Sequence, residues 1–395
     1  MVVTPPPAPL PGARLLFSLD PAVAYLNHGS FGAIPIPVQR AQQRLRDEVE
    51  TNPQQFYTAG LWDRLGHART HLSQFLGADP ASTAFVANAT AAVSIVLRTL
   101  AFGRGDEIIT TTHGYGSVDL AVDHVCARTG ATHTVVPLRL DAPDDDIVTA
   151  VAGAITPGRT KLVIVDQVAS ATARVMPVAR LAATARSRDV PILVDAAHAP
   201  GTHAMRVDAI GADFWVGNLH KWMYAPRPTA IFSVAEKWRG QIEAPVISWA
   251  DADGFPANLE MGGTLDYTAW LTASTGLYVF RTLGIDRVRS HNASLVAYGQ
   301  RVVGAALGLL SPSELPNPGG VTPSMRVLPL PSHVGRTEAD AIALRGRIAD
   351  ELRVVVPIMS WHGRGLLRLS AQVYNHADEY DRLAAGLPRV LAALR

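Results

Sequence analysis

Asp195 and Lys221 are the residues best placed to do chemistry, in the segment ILVDAAHAPGTHAMRVDAIGADFWVGNLHKWMY over 192–224. One apolar run ends at Asp195, and a second ends just before His220-Lys221. Polar groups at the C-terminal ends of such runs lie on the edge where open α/β sheets collect ligands, so an acid and an amine there can face one bound molecule. A lysine amine forms a Schiff base with a carbonyl and then shuttles protons. A carboxylate beside a pyridine nitrogen keeps that ring protonated and electron-withdrawing. Pyridoxal 5'-phosphate (PLP) requires this pair. Taken singly, Asp195 could cap a turn and Lys221 could be a solvated surface lysine.

Other chemistries find less support. His67 and His71 stand at i, i+4 on a predicted helix, a spacing used by metal sites, but no third ligand is in view and no metal is expected. Neither GxxxxGK[ST] nor a strand-linked GxGxxG occurs, so nucleotide binding of those kinds is not expected. Asn88-Ala89-Thr90 matches the glycosylation triplet, a reading disfavoured without a secretory signal.

The elements that must position Asp195 and Lys221 are legible from hydrophobic runs. Residues 83–87, 107–111, 132–137, 161–165, 190–194, 213–216 and 229–234 are short and continuously apolar, as in strands covered on both faces. The stretches between several of them are rich in Ala, Leu and Arg and read as helices, which predicts a largely parallel α/β sheet in a three-layer sandwich. Residues 240–270 turn to Pro, Gly, Asp and aromatics, a loop region leading into a second unit. After that come a helical stretch through Val303, a strand over 325–330, a helix over 338–352, two strand-like runs and a terminal helix, which predict a smaller α+β domain. The expected division is an N-terminal arm over 1–20, a large domain over 21–271 and a small domain over 272–395.

Composition bounds the rest. The 395 residues are 48% hydrophobic and 17% charged, enough to bury a large core. Lys and Arg number 35 against 34 Asp and Glu, a net charge of +1, which gives no general pull toward nucleic acid or an anionic membrane and points to a small partner molecule. Cys126 is the only cysteine, which excludes an internal disulfide and a Cys-rich zinc site and agrees with a cytoplasmic setting. The Pro-rich start MVVTPPPAPLP reads as an extended arm, not a signal peptide, and no apolar stretch reaches the roughly 18 residues that span a bilayer. Heavy use of Ala, Arg, Gly and Pro inclines the reading toward a GC-rich source and specialised metabolism.

YLNHGSFGAIP at 25–35, NATAAV at 88–93, VDAAHAPG at 194–201 and GNLHKW at 217–222 resemble the class V group of fold type I PLP enzymes. That group includes cysteine desulfurases, isopenicillin N epimerase and hercynylcysteine sulfoxide lyases, and the likeness spans nearly the whole chain. It implies a three-layer αβα large domain with a mostly parallel seven-stranded sheet, plus a smaller α+β domain. Carried over residue by residue, it implies that Lys221 holds the cofactor and that Asp195 faces the pyridine nitrogen. Ala89 and Thr90 match the phosphate-binding helix start, a role that unpaired N–H groups and a helix dipole can fill. Tyr115 matches the ring that stacks on the pyridine face, and Ser170 and His198 match the donors beside the phenolic oxygen. Asn218 and His220 match phosphate contacts. Gly263 and Thr264 match a segment that reaches the phosphate of a neighbouring subunit, which implies a homodimer. Arg368 matches the binder of the substrate α-carboxylate, for which a guanidinium fork is suited. Asn27 and His28 are expected to line the substrate pocket. At Ala173-Arg174 the chain departs from the pattern, and Arg174 is expected to meet an acidic or sugar-bearing part of the substrate.

A desulfurase of this group needs a cysteine on a mobile loop of its C-terminal half, whereas Cys126 falls in a predicted helix of the large domain. The expected reaction is therefore C–S β-lyase chemistry on a cysteine-derived amino acid, with Lys221 as base. Epimerisation, transamination and decarboxylation-dependent oxidative deamination remain open alternatives. So does a non-catalytic PLP-binding protein.

Overall fold

The computed structural model describes residues 5–320 and 324–393; the first four residues of the N-terminal arm fall outside this range. The strands are β1 (Ala24–Tyr25), β2 (Thr83–Val86), β3 (Glu107–Thr111), β4 (Thr132–Val136), β5 (Thr160–Asp166) and β6 (Ile192–Asp195). They continue as β7 (Phe214–Asn218), β8 (Ala230–Val234), β9 (Met325–Pro329), β10 (Val354–Val355), β11 (Ile358–Trp361) and β12 (Arg364–Ser370). The longer helices are α1 (Ile36–Thr51), α2 (Leu61–Leu76), α3 (Ala89–Thr99), α4 (Gly116–Thr129), α5 (Asp144–Ala154) and α6 (Val178–Arg186). After them come α7 (Thr268–Leu283), α8 (Ile285–Ala306), α9 (Glu338–Leu352) and α10 (Ala377–Ala392).

Seven strands form the central sheet in the order β2-β8-β7-β6-β5-β3-β4, with β8 antiparallel to both neighbours and the other pairings parallel. This is the mostly parallel seven-stranded sheet that the resemblance implied. The reason for the continuous apolar runs is visible in β5. Leu162 and Ile164 face the core under α3 and α4, while Val163 and Val165 face the core under α2, α5 and α6. Each such fully buried side chain contributes about 1.5–3 kcal/mol. Both faces are covered, so the polar ends of the strands are left to make a site.

The smaller unit has its own core, built by Leu295, Val296, Leu344, Ile348, Leu367, Leu369, Leu383 and Leu387 around the antiparallel sheet β11-β12-β9. The sequence boundary at 272 falls inside α7, whose Leu277 and Phe280 belong to the large core, and the packing changes over within α8. The N-terminal segment is shared: β1 pairs in parallel with β10, and Ala24 and Leu26 are buried in the smaller core. A two-residue pairing over so long a sequence separation carries no periodic signal.

Candidate active site

The C-terminal ends of β5, β6 and β7 carry Asp166, Asp195 and Asn218, and α3 and α4 start beside them with Ala89 and Gly116. These ends surround a cavity of about 500 Å³, lined among others by Ser30, Thr90, Tyr115, Ser170, His198 and Lys221. A cleft of about 660 Å³ opens at the opposite, N-terminal ends of the strands. Two ion pairs cross its lining, with Lys237 2.7 Å from Asp213 and Arg239 3.7 Å from Asp79.

Lys221 is the centre of the cavity. Its Nζ lies 3.0 Å from His198 Nε2. Burial lowers the lysine to about 7, helped by the charge of Arg368 and opposed by Asp195 and Asp166. Burial and the Lys221 charge hold His198 well below the usual histidine range, so its ring is neutral. An ammonium can only donate, hence His198 Nε2 accepts from protonated Lys221 and the ring proton sits on Nδ1. That Nδ1 is buried with no partner among the described residues.

Asp195 accepts the Ala197 amide at 2.9 Å, and burial raises its pKa against the pull of that amide and of Lys221. Asp166, its register partner on β5, is raised well above the usual carboxylate range by burial and by Asp195. Sequence reasoning missed Asp166, although VIVD at 163–166 repeats the pattern of ILVD at 192–195.

At the start of α3, Asn88 caps the helix by accepting the Ala91 amide, and Asn218 Oδ1 accepts the Ala89 amide at 2.9 Å. The exposed Thr90 completes a helix start open to the cavity. His220 Nδ1 lies 2.8 Å from the Thr229 carbonyl oxygen and 3.0 Å from the Thr229 amide nitrogen, which fixes the ring against the start of β8. Tyr115, 44% exposed, stands at the rim just before α4.

Arg368 on β12 is 1% exposed and lies just behind the cavity wall. Its Nη1 donates to the carbonyl oxygen and Oγ of Ser170 at 2.6 and 3.2 Å, and its Nη2 donates to Ser30 Oγ at 2.7 Å and Asn27 Oδ1 at 3.4 Å. Burial lowers it to about 10, so it remains a cation at neutral pH.

Other expected site residues fall elsewhere. His28 is fully buried behind the lysine, 2.8 Å from the Lys221 carbonyl and 3.0 Å from Tyr374 OH, and the wall near it is made by Ser30 and Phe31. Asn27 lies outside the cavity lining, where its Oδ1 accepts from Arg368. The expectation that Arg174 meets substrate is corrected. This guanidinium is 4% exposed and donates to the carbonyls of Val175, Pro318 and Ala142 and to the Asp144 carboxylate. Its Nη1 and Nη2 bind Val175, Ala142 and Asp144 of the large domain and Pro318 of the 316–319 loop, while Nε is buried with no partner among the described residues. Gly263 and Thr264 lie outside the cavity lining, with Gly263 at φ 97 and its carbonyl accepting from Tyr267. Cys126 sits in α4, and no group of three or more potential metal ligands occurs among the described residues. No helix among them is long and apolar enough to cross a membrane.

The site thus joins a near-neutral amine, a neutral imidazole with an unused donor, buried carboxylates and a helix start that accepts anions. These groups fit PLP: a lysine for its carbonyl, an acid for its ring nitrogen, and N–H groups for its phosphate. Behind Ser30 and Ser170 the Arg368 cation is held by hydrogen bonds to both.

A sequence profile of the aminotransferase class-V family matches residues 39–383. The isopenicillin N epimerase of Amycolatopsis lactamdurans is 32% identical, covering 95% of this chain and 97% of its own length. The putative L-cysteine desulfhydrase 1 of Oryza sativa subsp. japonica is 30% identical, covering 94% of this chain and 84% of its own length. A solved mutant of C-DES, with glycine covalently linked to its PLP cofactor, superimposes with a TM-score of 0.79 at 20% identity, covering 95% of this chain and 98% of that one. At that identity the likeness speaks for the fold.

Proposed function

From the premise that this chain belongs to the aminotransferase class-V family, we propose that it is a PLP-dependent enzyme that breaks the C–S bond of a cysteine-derived amino acid. The observation that carries the reading is the buried Lys221 amine, lowered to about 7 and hydrogen-bonded to His198 in the cavity that holds Asp195. When bound, PLP supplies a carbonyl for the lysine and an electron sink for the bond broken at Cα.

The residues of the chain divide the remaining work. Asp195 holds the pyridine nitrogen protonated, and Tyr115 covers the ring face. Ser170 and His198 serve the phenolic oxygen, His198 through the Nδ1 proton that otherwise has no acceptor. Ala89, Thr90, Asn218 and His220 hold the phosphate at the start of α3, with Asn218 yielding the Ala89 amide to it. Arg368 binds the substrate α-carboxylate in place of its bonds to Ser30 and Ser170. Lys221 Nζ then takes the Cα proton and returns one to the departing sulfur. The sulfur leaves as a thiol: Cys126 lies on α4 outside the cavity lining, and burial raises its pKa, so it is not placed to accept sulfur.

Gly263 and Thr264 serve the phosphate site of a second copy of the chain, in a homodimer. The preceding segment, separated from them by the short helix Ala257–Glu260, exposes Ile247 by 73% and Trp249 by 98%, apolar surface suited to burial against that copy. A reducing, cytoplasmic setting agrees with a single free thiol.

The test is an absorbance spectrum of the purified protein with PLP, followed by incubation with S-substituted cysteines. A visible band absent from Lys221→Ala, with thiol, pyruvate and ammonia released in equal amounts, supports the lyase reading. Absence of PLP binding by the wild type overturns it. Epimerisation at Cα is the second reading, favoured by the 32% identity to the Amycolatopsis epimerase. Exchange of the Cα proton with solvent, without thiol release, moves the assignment there.

A further inference from the structure

The pairing of β5 with β6 sets a second acid beside the first. Asp166 and Asp195 are register partners, and partners on adjacent strands project from the same face of a sheet with backbones about 4.8 Å apart. They are 6% and 3% exposed, and both line the cavity of about 500 Å³ that holds Lys221. Two carboxylates so placed and so dry oppose each other's ionisation, and burial and Asp195 raise Asp166, which favours one proton kept by the pair.

The surroundings decide where that proton sits. Asp166 faces Asp195 from β6, Asp119 from α4 and Lys221 beyond β7; the two acids oppose its charge, and the lysine favours it but is itself half neutral near pH 7. The Ala197 amide donates to Asp195 at 2.9 Å and so favours the charged form there. No donor from another residue reaches the Asp166 carboxylate among the described residues. A buried acid kept only for the fold is hydrogen-bonded, because a bare carboxylate away from water costs several kcal/mol. Asp166 is held by its own backbone amide, and a carboxyl that takes no donor from another residue in the wall of a reactive cavity is open to a further partner.

We propose that Asp166 is a positioning residue for the cofactor: it stays protonated and donates a hydrogen bond to Asp195, so that the pair presents one negative charge to the pyridine nitrogen of PLP. The inference rests on the PLP reading above and adds a residue to it. The O–H of Asp166 fixes the rotation of the Asp195 carboxylate. It also stops a second negative charge from raising the Lys221 pKa and holding that amine protonated. Asp119 stays outside the pair, with its own partner in Thr110 at 3.0 Å.

The experiment is equilibrium titration of PLP into the full-length apoenzyme, for the wild type, Asp166→Ala, Asp166→Asn, Asp195→Asn and the double variant Asp166→Asn/Asp195→Asn. Asp166→Ala is expected to weaken PLP about tenfold, the loss of about 1.4 kcal/mol, and Asp166→Asn to restore it to within about threefold because an amide keeps a neutral donor. The double variant is expected to bind more weakly than Asp195→Asn, since in the single variant Asp166 is free to ionise and replace the lost charge. Asn as damaging as Ala, or a double variant equal to Asp195→Asn, overturns the proposal. Should the variants not fold, the infrared carbonyl stretch of a protonated carboxylic acid in the wild-type holoenzyme near neutral pH decides, and its absence overturns the proposal. Failure of the wild type itself to bind PLP strikes at the proposed function instead, so the two failures remain distinct.

Discussion

His28 Nε2 lies 2.8 Å from the carbonyl oxygen of Lys221, so the backbone of the reactive lysine is braced by the N-terminal segment from outside the cavity. The ring is fully buried, and its other nitrogen is 3.0 Å from Tyr374 OH. These contacts, and those with the Ala33 amide and Gln372 Nε2, are lost in His28→Leu. That variant is expected to lose about 2 kcal/mol of stability, measured by urea unfolding, through the unpaired carbonyl and hydroxyl left behind. Retention of full stability would show that the brace carries no weight.

The Lys221 amine reacts only when neutral, and its pKa of about 7 sets when that is. The rate at which the apoenzyme captures PLP is expected to rise about tenfold per pH unit below 7 and to level off above it. Asp195→Asn removes a charge that raises the lysine, so the midpoint moves down; Arg368→Gln removes a charge that lowers it, so the midpoint moves up. Stopped-flow absorbance across pH 5–9 measures all three.

Acid is expected to unfold the protein by way of its buried histidines. Burial lowers His28, His113, His203, His220 and His291 from 6.5 to about 4. Above 6.5 both the folded and unfolded states hold these rings neutral, and stability is complete. Between 6.5 and 4 the unfolded chain takes up protons that the folded chain refuses, so stability falls as pH falls. The slope of the urea midpoint against pH in that window counts the protons, and a flat profile would contradict the burial argument.

Arg174→Leu is expected to lower the melting temperature by an amount that reflects about 3 kcal/mol, since it strands three carbonyls and the Asp144 carboxylate, while leaving KM unchanged. Gly319→Ala attacks the same tie from the other side. Its new Cβ would collide with the Arg174 guanidinium, at a backbone φ of +71 that suits glycine. A raised KM in either variant, with an unchanged melting temperature, would return Arg174 to the substrate.

Arg368→Lys keeps the charge but loses the planar fork that spans Ser30 and Ser170. A rise in KM of about tenfold or more is expected, with a smaller change in kcat, read from steady-state rates on an S-substituted cysteine.

The seven strands were legible because they are short and mostly apolar, and the central ones are covered on both faces, as Leu162 to Val165 show, whereas the edge strand β4 is partly exposed. Asp195, His198 and Lys221 were legible because they follow such runs, where the sheet ends and a ligand begins. Asp166 ends a run of the same kind and could have been read the same way. The rest was hidden for physical reasons. Residues 26–33 are irregular backbone without a period, so nothing in the sequence says that Ser30 and Phe31 meet the cavity while His28 turns inward. A buried arginine such as Arg174 looks like any other arginine until its acceptors, distant backbone carbonyls, are in place. The break between the two cores lies within helical sequence near α8, where composition does not change.

The pairing of β1 with β10 also orders events in time. A ribosome has made the first strand long before Val354 and Val355 exist to receive it, so the segment that braces Lys221 has no seat until nearly the whole chain has been synthesised. The reactive lysine is therefore completed only once β10 has been made, and a nascent chain stalled before β10 would carry the amine without the frame that tunes it.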